Sequence, residues 1–247
     1  MSEQVQDMFG SIAGRYDCAN DVLSLGMHRL WRRTAVRLAG LTPGMTVLDL
    51  CTGTGDLAEE ISRVVGPDGQ VFGLDFVFPM LIRASRKYSR STSQSLSFLQ
   101  GDAMRIPLPA RCVDAVTIAF GIRNVDDPRT SLAEIRRVLR PQGTLMVLEF
   151  GQPGFPMFSS MFRWYSKHVM PALGSVLTGN RAAYEYLPQT SRNFAAGEEF
   201  VALMRDAGFV VNIARPFLSG VAWCYVGKSA AMPHERANEV LQTHASA

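Results

Sequence analysis

The chain reads as a doubly wound α/β domain: a mostly parallel sheet of seven strands, helices on both faces, and an antiparallel hairpin at its C-terminal end. Three observations predict this. From residue 46 onward strand and helix signals alternate, a pattern that builds parallel strands joined by crossover helices. The first strand runs directly into a glycine loop, Cys51-Thr-Gly-Thr-Gly55. The last two strand signals are separated only by Pro216 to Gly220, short enough for a hairpin.

The elements follow in order. Residues 1–45 form a helical cap, in which Trp31 opens an amphipathic segment: Ala35, Leu38 and Ala39 face a core while Arg29, Arg32, Arg33 and Arg37 stay wet. The main domain, 46–228, carries strands near 46–50, 70–74, 96–100, 113–119 and 144–150. Leu132, Ile135 and Leu139 recur at helical spacing, with Arg136, Arg137 and Arg140 elsewhere, so Ser131 to Arg140 is a helix. Pro141-Gln142-Gly143 breaks it before the next strand. The rhythm changes at 151–196, where eight aromatics, Phe155, Phe158, Phe162, Trp164, Tyr165, Tyr184, Tyr186 and Phe194, are interrupted by Gly and Pro. This stretch reads as an irregular helical lid insert. The hairpin strands fall near 209–215 and 221–227, and the polar, Ala-rich segment 229–247 is expected to be a loose tail.

Bulk properties narrow the classes. A chain of 247 residues, 47% hydrophobic and 19% charged, is a globular protein with a well-buried core. A net charge of +3 is too weak to imply nucleic acid. The four cysteines, Cys18, Cys51, Cys112 and Cys224, form no CxxC pair, so neither a zinc site nor a disulfide framework is expected and a reducing cytoplasm is the default. The four histidines, His28, His168, His234 and His244, are not paired at ligand spacing, and no metal is expected. The N-terminal MSEQVQDMFG carries no signal-peptide pattern, and no apolar run is long enough to span a bilayer.

Residues Thr46 to Asp56, TVLDLCTGTGD, hold the main functional signal. An apolar strand bearing Asp49 enters a loop with Gly53, Thr54 and Gly55. Glycines let the backbone turn sharply and lie against a bulky ligand. A second apolar strand ends in Asp75, where an acid accepts hydrogen bonds from a ribose diol. An adenosine-containing cofactor is therefore expected. Gly53-Thr54-Gly55-Asp56-Leu57-Ala58 also satisfies the relaxed G-x-G-x-x-G/A pattern of NAD sites. Against NAD stand the long stretch before the first strand, the absence of a YxxxK pair, the terminal hairpin, and Gly101-Asp102-Ala103 after the third strand. There S-adenosylmethionine enzymes commonly place an acid for the adenine amino group. Singly, Asp49 and Thr54 also read as helix caps, Asp102 as a turn residue and Cys51 as a small buried filler.

Further residues carry a more specific pattern. Thr117-Ile-Ala-Phe-Gly-Ile-Arg-Asn-Val125, Tyr16-Asp17, Asn20-Asp21, Gly26-Met27-His28-Arg29-Leu30-Trp31, Arg137-Val-Leu-Arg-Pro141, Val147-Leu-Glu-Phe150 and Tyr184-Glu-Tyr-Leu187 together resemble the ubiquinone/menaquinone biosynthesis C-methyltransferase family, from about Met8 to Lys228. The resemblance implies a class I methyltransferase (Rossmann-like) fold, S-adenosylmethionine as cofactor, and methylation of a ring carbon of a polyprenylated quinol, demethylmenaquinol to menaquinol first among them. It assigns cofactor contacts to Asp49, Gly53, Thr54, Gly55, Asp75, Asp102, Ala103 and Ala119. Acceptor contacts fall to Asn20, Asn124, Tyr184, Tyr186 and Arg192. The chain departs from the family pattern at Ala19 (usually methionine), Thr52 (often glycine), Gln189 (usually an acid) and Tyr225 (commonly histidine).

A ring carbon becomes nucleophilic only when a neighbouring hydroxyl is deprotonated, so the acceptor must be the reduced quinol. Arg123, just after the fourth strand, is the expected polar centre, able to stabilise a phenolate; the plainer alternative is a structural salt bridge with an acid such as Asp126. His28 and Tyr16 are candidates for proton handling, although a lone histidine beside Trp31 is more often simply packed, and His168 reads equally as lid or surface. The lid aromatics suit an isoprenoid-bearing ring, a helical core or a homodimer interface. The basic residues of the cap leave peripheral contact with a membrane open beside a solvated helix face. Three rival functions stay open: a methyltransferase for another small phenol, a catalytically silent scaffold of a quinone-biosynthesis complex, and an NAD-dependent oxidoreductase.

Overall fold

Seven strands form one sheet in the order β3-β2-β1-β4-β5-β7-β6. The structure is a computed structural model that describes residues 3–89, 95–154 and 156–230. The strands are β1 (Thr46–Leu50), β2 (Gln70–Asp75), β3 (Leu96–Gln100), β4 (Val113–Ala119), β5 (Leu139–Phe150), β6 (Phe209–Phe217) and β7 (Ala222–Ser229). The first five pair in parallel. β7 runs antiparallel between β5 and β6, so the hairpin inserts its second strand against the parallel sheet. The helices are α1 (Glu3–Ile12), α2 (Tyr16–Leu23), α3 (Met27–Ala39), α4 (Asp56–Val65), α5 (Phe78–Tyr88), α6 (Pro128–Val138), α7 (Pro156–Trp164), α8 (Met170–Thr178), α9 (Arg181–Asn193) and α10 (Glu198–Asp206). A single π-turn, Tyr165–Val169, joins α7 to α8.

Burial explains why these strands are apolar on both faces. From Val47 to Leu50 β1 is buried throughout, as a central parallel strand must be. One face packs Leu48, Leu50 and Ile118 against Leu132 and Ile135 of α6 and Phe200 of α10. The other packs Val47, Val71 and Ala115 against Trp31 and Ala35 of α3 and Ile61 of α4. Each fully buried aliphatic side chain contributes roughly 1.5–3 kcal/mol.

Two sequence expectations shift. The predicted helix Ser131 to Arg140 is the helix Pro128–Val138: Asp127 caps it, its side chain accepting from the Arg129 N–H, and Pro128 occupies the first turn. Leu139 is already extended and pairs with Val113, because its side chain completes the core at 2% exposure. Pro141-Gln142-Gly143 is thus an irregularity inside β5 rather than a loop before it, with Gln142 at φ 62°. The second shift concerns Arg32. Its side chain is only 12% exposed and pairs with Asp56 at 2.9 Å, while Arg29, Arg33 and Arg37 do lie on the surface. The proposed tail, 229–247, begins inside β7, and 231–247, with His234 and His244, lies outside the described residues.

Candidate active site

The strand order reverses between β1 and β4, and the crevice beyond their C-terminal ends is where open α/β sheets take ligands. Two non-glycine residues in the left-handed region mark this place, Cys51 after β1 at φ 53° and Phe120 after β4 at φ 57°. They fit because Gly121 has no side chain: a Cβ on it would lie 2.3 Å from Cys51 Cβ. Burial pushes the Cys51 thiol well above its usual range, so it is a filler and no nucleophile.

The cleft here is polar and tightly wired. Asp49 is buried; its Oδ2 accepts from Thr52 Oγ1 and its Oδ1 from Thr117 Oγ1, both at 2.7 Å. Burial raises its pKa to about 6 against the pull of those two hydroxyls and of Arg32. Asp75 receives the Gly53 N–H on Oδ2 and the Val77 N–H on Oδ1, each at 2.8 Å. One carboxylate therefore holds the glycine loop and the turn after β2 together and retains further lone pairs for a ligand. Gly53 and Gly55 sit at φ 59° and 82°, where a side chain is strained. Thr54 reaches out of the loop and donates to Asp17 Oδ1 of α2 at 2.6 Å. Lys87 bridges Asp17 and Asp56, so ion pairs tie the cap to the cleft.

Asp49, Gly53, Thr54, Asp75, Ala103, Ala119 and Asn124 all line this cleft. Gly55 stands behind it, against Phe98 and Tyr88. Asp102 is turned aside: its Oδ1 accepts from the Met104 N–H at 2.9 Å, and its neighbours Gly101 and Ala103 form the wall. Asn124 Oδ1 is buried with no hydrogen-bond partner.

A second, larger cavity of about 470 Å³ adjoins the cleft, sharing Phe9, Tyr16, Arg32 and Phe120 with it. Its walls come chiefly from the cap and the insert, with Phe120, Phe150 and Val221 from the sheet side, and they are overwhelmingly apolar: Trp31, Phe150, Phe162, Trp164 and Met170 among others. Asn20, His28, Arg123, Tyr184 and Tyr186 line it. Arg192 does not; it lies at a smaller neighbouring cavity with Arg163 and Lys167, exposed, its Nε donating to the Pro188 carbonyl. His168 is exposed beside Trp164, and Phe194 leaves the insert to pack on Phe200.

Arg123 has a buried partner, and it is Glu149 rather than Asp126. Arg123 Nη1 donates to Glu149 Oε1 at 2.5 Å and to the Phe120 carbonyl at 2.7 Å. The two side chains are 4% and 0% exposed. Reasoning from sequence passed over Glu149, although a lone acid in the apolar run Leu145-Met-Val-Leu-Glu-Phe150 is a signal: a buried charge persists only when paired. His28 is buried, with Nδ1 2.6 Å from Ser24 Oγ. Burial, and then Arg32, lowers its pKa to about 4, which makes it neutral at physiological pH and a weak base. Among the described residues no cluster of His, Cys, Asp and Glu could hold a metal. The departures are accommodated. Ala19 is fully buried in the cap, Thr52 serves Asp49, Gln189 is on the surface, and Tyr225 Oη accepts the Gly197 N–H at 2.7 Å as a core residue.

A sheet of this order, with β7 antiparallel and a ligand cleft at the β1/β4 switch, defines the class I methyltransferase fold. Solved structures agree. A SAM-dependent methyltransferase from Aquifex aeolicus superposes with a TM-score of 0.60 at 22% identity, over 81% of this chain and 89% of that one. A SAM-dependent methyltransferase from Thermotoga maritima gives 0.62 at 20% identity, over 90% and 99%. Sequence comparison is more specific. The ubiE/COQ5 methyltransferase family matches residues 1–228, and the chain belongs to that family. Its relatives include the ubiquinone/menaquinone biosynthesis C-methyltransferase UbiE of Bdellovibrio bacteriovorus, 41% identical over 91% of this chain and 95% of the relative. The demethylmenaquinone methyltransferase of Deinococcus radiodurans is 43% identical over 91% and 92%.

Proposed function

We propose that this methyltransferase moves a methyl group from S-adenosylmethionine to a ring carbon of a reduced, polyprenylated quinol, with demethylmenaquinol the favoured acceptor. The observation that carries the reading is the junction of two unlike spaces: a polar cleft at the strand ends and an apolar cavity large enough for a fused ring with part of its side chain, meeting at Tyr16, Arg32 and Phe120. The names of the relatives point to the same chemistry.

The cleft suits the cofactor. Glycine backbone carbonyls, the remaining lone pairs of Asp75 and the Asp49 carboxylate offer acceptors for ribose hydroxyls and amino groups, and Asn124 lines the same cleft. When bound, S-adenosylmethionine supplies a methyl group activated by its sulfonium charge. The chain's own part is positioning and proton management. Holding acceptor and donor face to face supplies several kcal/mol of the barrier. The aromatic walls exclude water. Arg123, paired with Glu149, presents a fixed guanidinium where an acceptor hydroxyl becomes a phenolate, while neutral His28 helps shape the wall.

Leu25, Met161, Trp164 and Leu218 line the cavity and are nonetheless exposed. They fit a rim at which a quinol passes from a bilayer, so contact with the membrane is peripheral and at this rim. Among the described residues no helix is long and apolar enough to cross a membrane. The test is an assay with S-adenosylmethionine carrying a labelled methyl and reduced naphthoquinol or benzoquinol acceptors side by side. Label is expected in the naphthoquinol; cofactor binding with no label in either quinol sinks the reading.

A further inference from the structure

Arg123, which lines the largely apolar cavity, and Glu149 make a pair whose net charge is zero. Glu149 is held by more than its partner: Oε1 also accepts the Phe150 N–H at 2.7 Å, and Oε2 accepts the Arg123 N–H at 3.3 Å. Arg123 is fixed in turn. Nη1 is spent on Glu149 and the Phe120 carbonyl, and the guanidinium lies over the Phe150 ring at 5.1 Å. Its Nε is buried with no partner. The guanidinium is thus clamped through Nη1, in a side chain that lines the cavity.

We propose that Glu149 is a positioning residue that sets the charge where Arg123 lines the acceptor cavity, cancelling that of Arg123 so that an uncharged hydroxyarene binds, and holding the guanidinium in place beside its hydroxyl. The proposal rests on the acceptor reading above. An uncompensated Arg123 would hold the ring as a tight phenolate, a resting anion more stable and less nucleophilic at carbon. A compensated one offers hydrogen bonds and only a residual field, so the anion forms transiently.

The other titratable groups lining this cavity are His28 and Arg32 of α3, Tyr16 of α2, Tyr165 of the π-turn, and Tyr184 and Tyr186 of α9; Tyr225 of β7 and Cys51 feel the charge of Glu149, and Asp126 acts on Tyr186. His28 titrates at about 4 and Tyr184 at about 12, and burial also raises Tyr165 and Tyr186. Arg32 is held by Asp56.

The experiment uses the full chain and a naphthol blocked by a methyl beside its hydroxyl, whose ionisation is read by absorbance while bound. Glu149→Gln should lower the bound naphthol's pKa by about one to three units, the effect of an opposite charge at contact distance. Glu149→Asp should restore most of the wild-type value. Because Glu149→Gln leaves a buried cation unpaired, a double variant, Arg123→Gln with Glu149→Gln, covers the case in which the single variant does not fold; its bound pKa should equal or exceed the wild-type value. Turnover supplies a second readout: the acid limb of the kcat profile should move to lower pH in Glu149→Gln with cofactor affinity kept. A bound pKa unmoved in Glu149→Gln, or lowered in the double variant, overturns the assignment of Glu149 alone. If the wild-type protein binds no naphthol, the acceptor reading falls and this inference with it.

Discussion

The cleft and the cavity lie side by side and are built on opposite principles. In the cleft, shape comes from hydrogen bonds to the backbone. Asp75 alone fixes two segments through their N–H groups, and Asp49 is satisfied by two hydroxyls. In the cavity, shape comes from packed apolar side chains contributed by the cap, the insert and the ends of β4 and β5, with polar groups few. The contrast suits two partners of different kinds. A polar, charged cofactor is recognised atom by atom, which needs directional bonds held in advance. A prenylated ring is recognised by volume and dryness, which tolerates exchange of one apolar side chain for another.

The largest effect expected from breaking the cleft is Asp75→Ala. It removes a buried acceptor from two backbone donors, and hydrogen bonds to a charged group contribute about 1.5–3 kcal/mol each. Affinity for S-adenosylmethionine, measured by calorimetry, should fall by at least about 100-fold. Naphthol binding to the cavity should change little. Unaltered cofactor affinity would overturn the site map.

How much of this contrast was legible in the sequence follows from the same physics. Strands and the glycine loop are readable because they depend on local pattern: a buried parallel strand is apolar throughout, and a left-handed turn favours glycine. The start of β5 was misplaced because Pro141 and Gly143 look like a terminator, whereas pairing of Leu139 with Val113 is a tertiary fact. Arg32 was read as wet because its partner, Asp56, is distant in sequence and meets it only across α3 and α4. Glu149 was overlooked for a related reason. The lone acid in its apolar strand signals a buried pair, but that the partner is Arg123 is visible only in the fold, where Arg123 turns back on Glu149. The aromatic insert declared its apolarity, but which rings line the cavity depends on helix packing that no local period encodes.

The cavity has its own point of weakness. Gly174 of α8 lies against Tyr184 of α9, and a Cβ there would sit 2.2 Å from Tyr184 Cγ. Gly174→Ala must push the ring or part the helices, at about 1–3 kcal/mol for an overpacked site. The quinol KM should rise about tenfold while cofactor affinity holds, the mirror image of Asp75→Ala. Equal losses for both ligands would show that the two spaces do not behave independently.

A smaller effect tests the seam between them. Phe9 of α1 and Tyr16 of α2 line the cleft beside the glycine loop, so the cofactor is expected to enter past the cap. Asp17 resists movement of the cap through Thr54 and Lys87. Asp17→Asn should weaken the latch by about 1 kcal/mol. Stopped-flow binding should then show cofactor entering and leaving several-fold faster, with a small change in equilibrium affinity. Unchanged rates would place the point of entry elsewhere.

The smallest net effect comes from two groups whose large individual terms oppose each other, one in each region. His28, in the cavity wall, is lowered from 6.5 to about 4. The unfolded chain takes up its proton first, so folding stability from His28 is full above pH 6.5 and is lost as pH falls toward 4. Asp49, in the cleft, is raised from 3.8 to about 6. Here the folded state takes up the proton first, so its contribution is full below 3.8 and is lost as pH rises through 6. At 1.36 kcal/mol per unit, each term is on the order of 3 kcal/mol, and between pH 7 and 4 they largely cancel in the native protein. Substitution separates them. Measured by urea unfolding, the stability of Asp49→Asn relative to the native protein should fall as pH drops from 7 to 4, because the stabilising proton uptake is gone. The stability of His28→Gln relative to the native protein should rise over the same interval, because the penalty is gone. Differences that stay flat in both variants would mean that neither group is held as far from its ordinary protonation as its burial demands. Slopes of the same sign would mean that one of the two environments has been misread, and the variant whose slope departs from expectation identifies which.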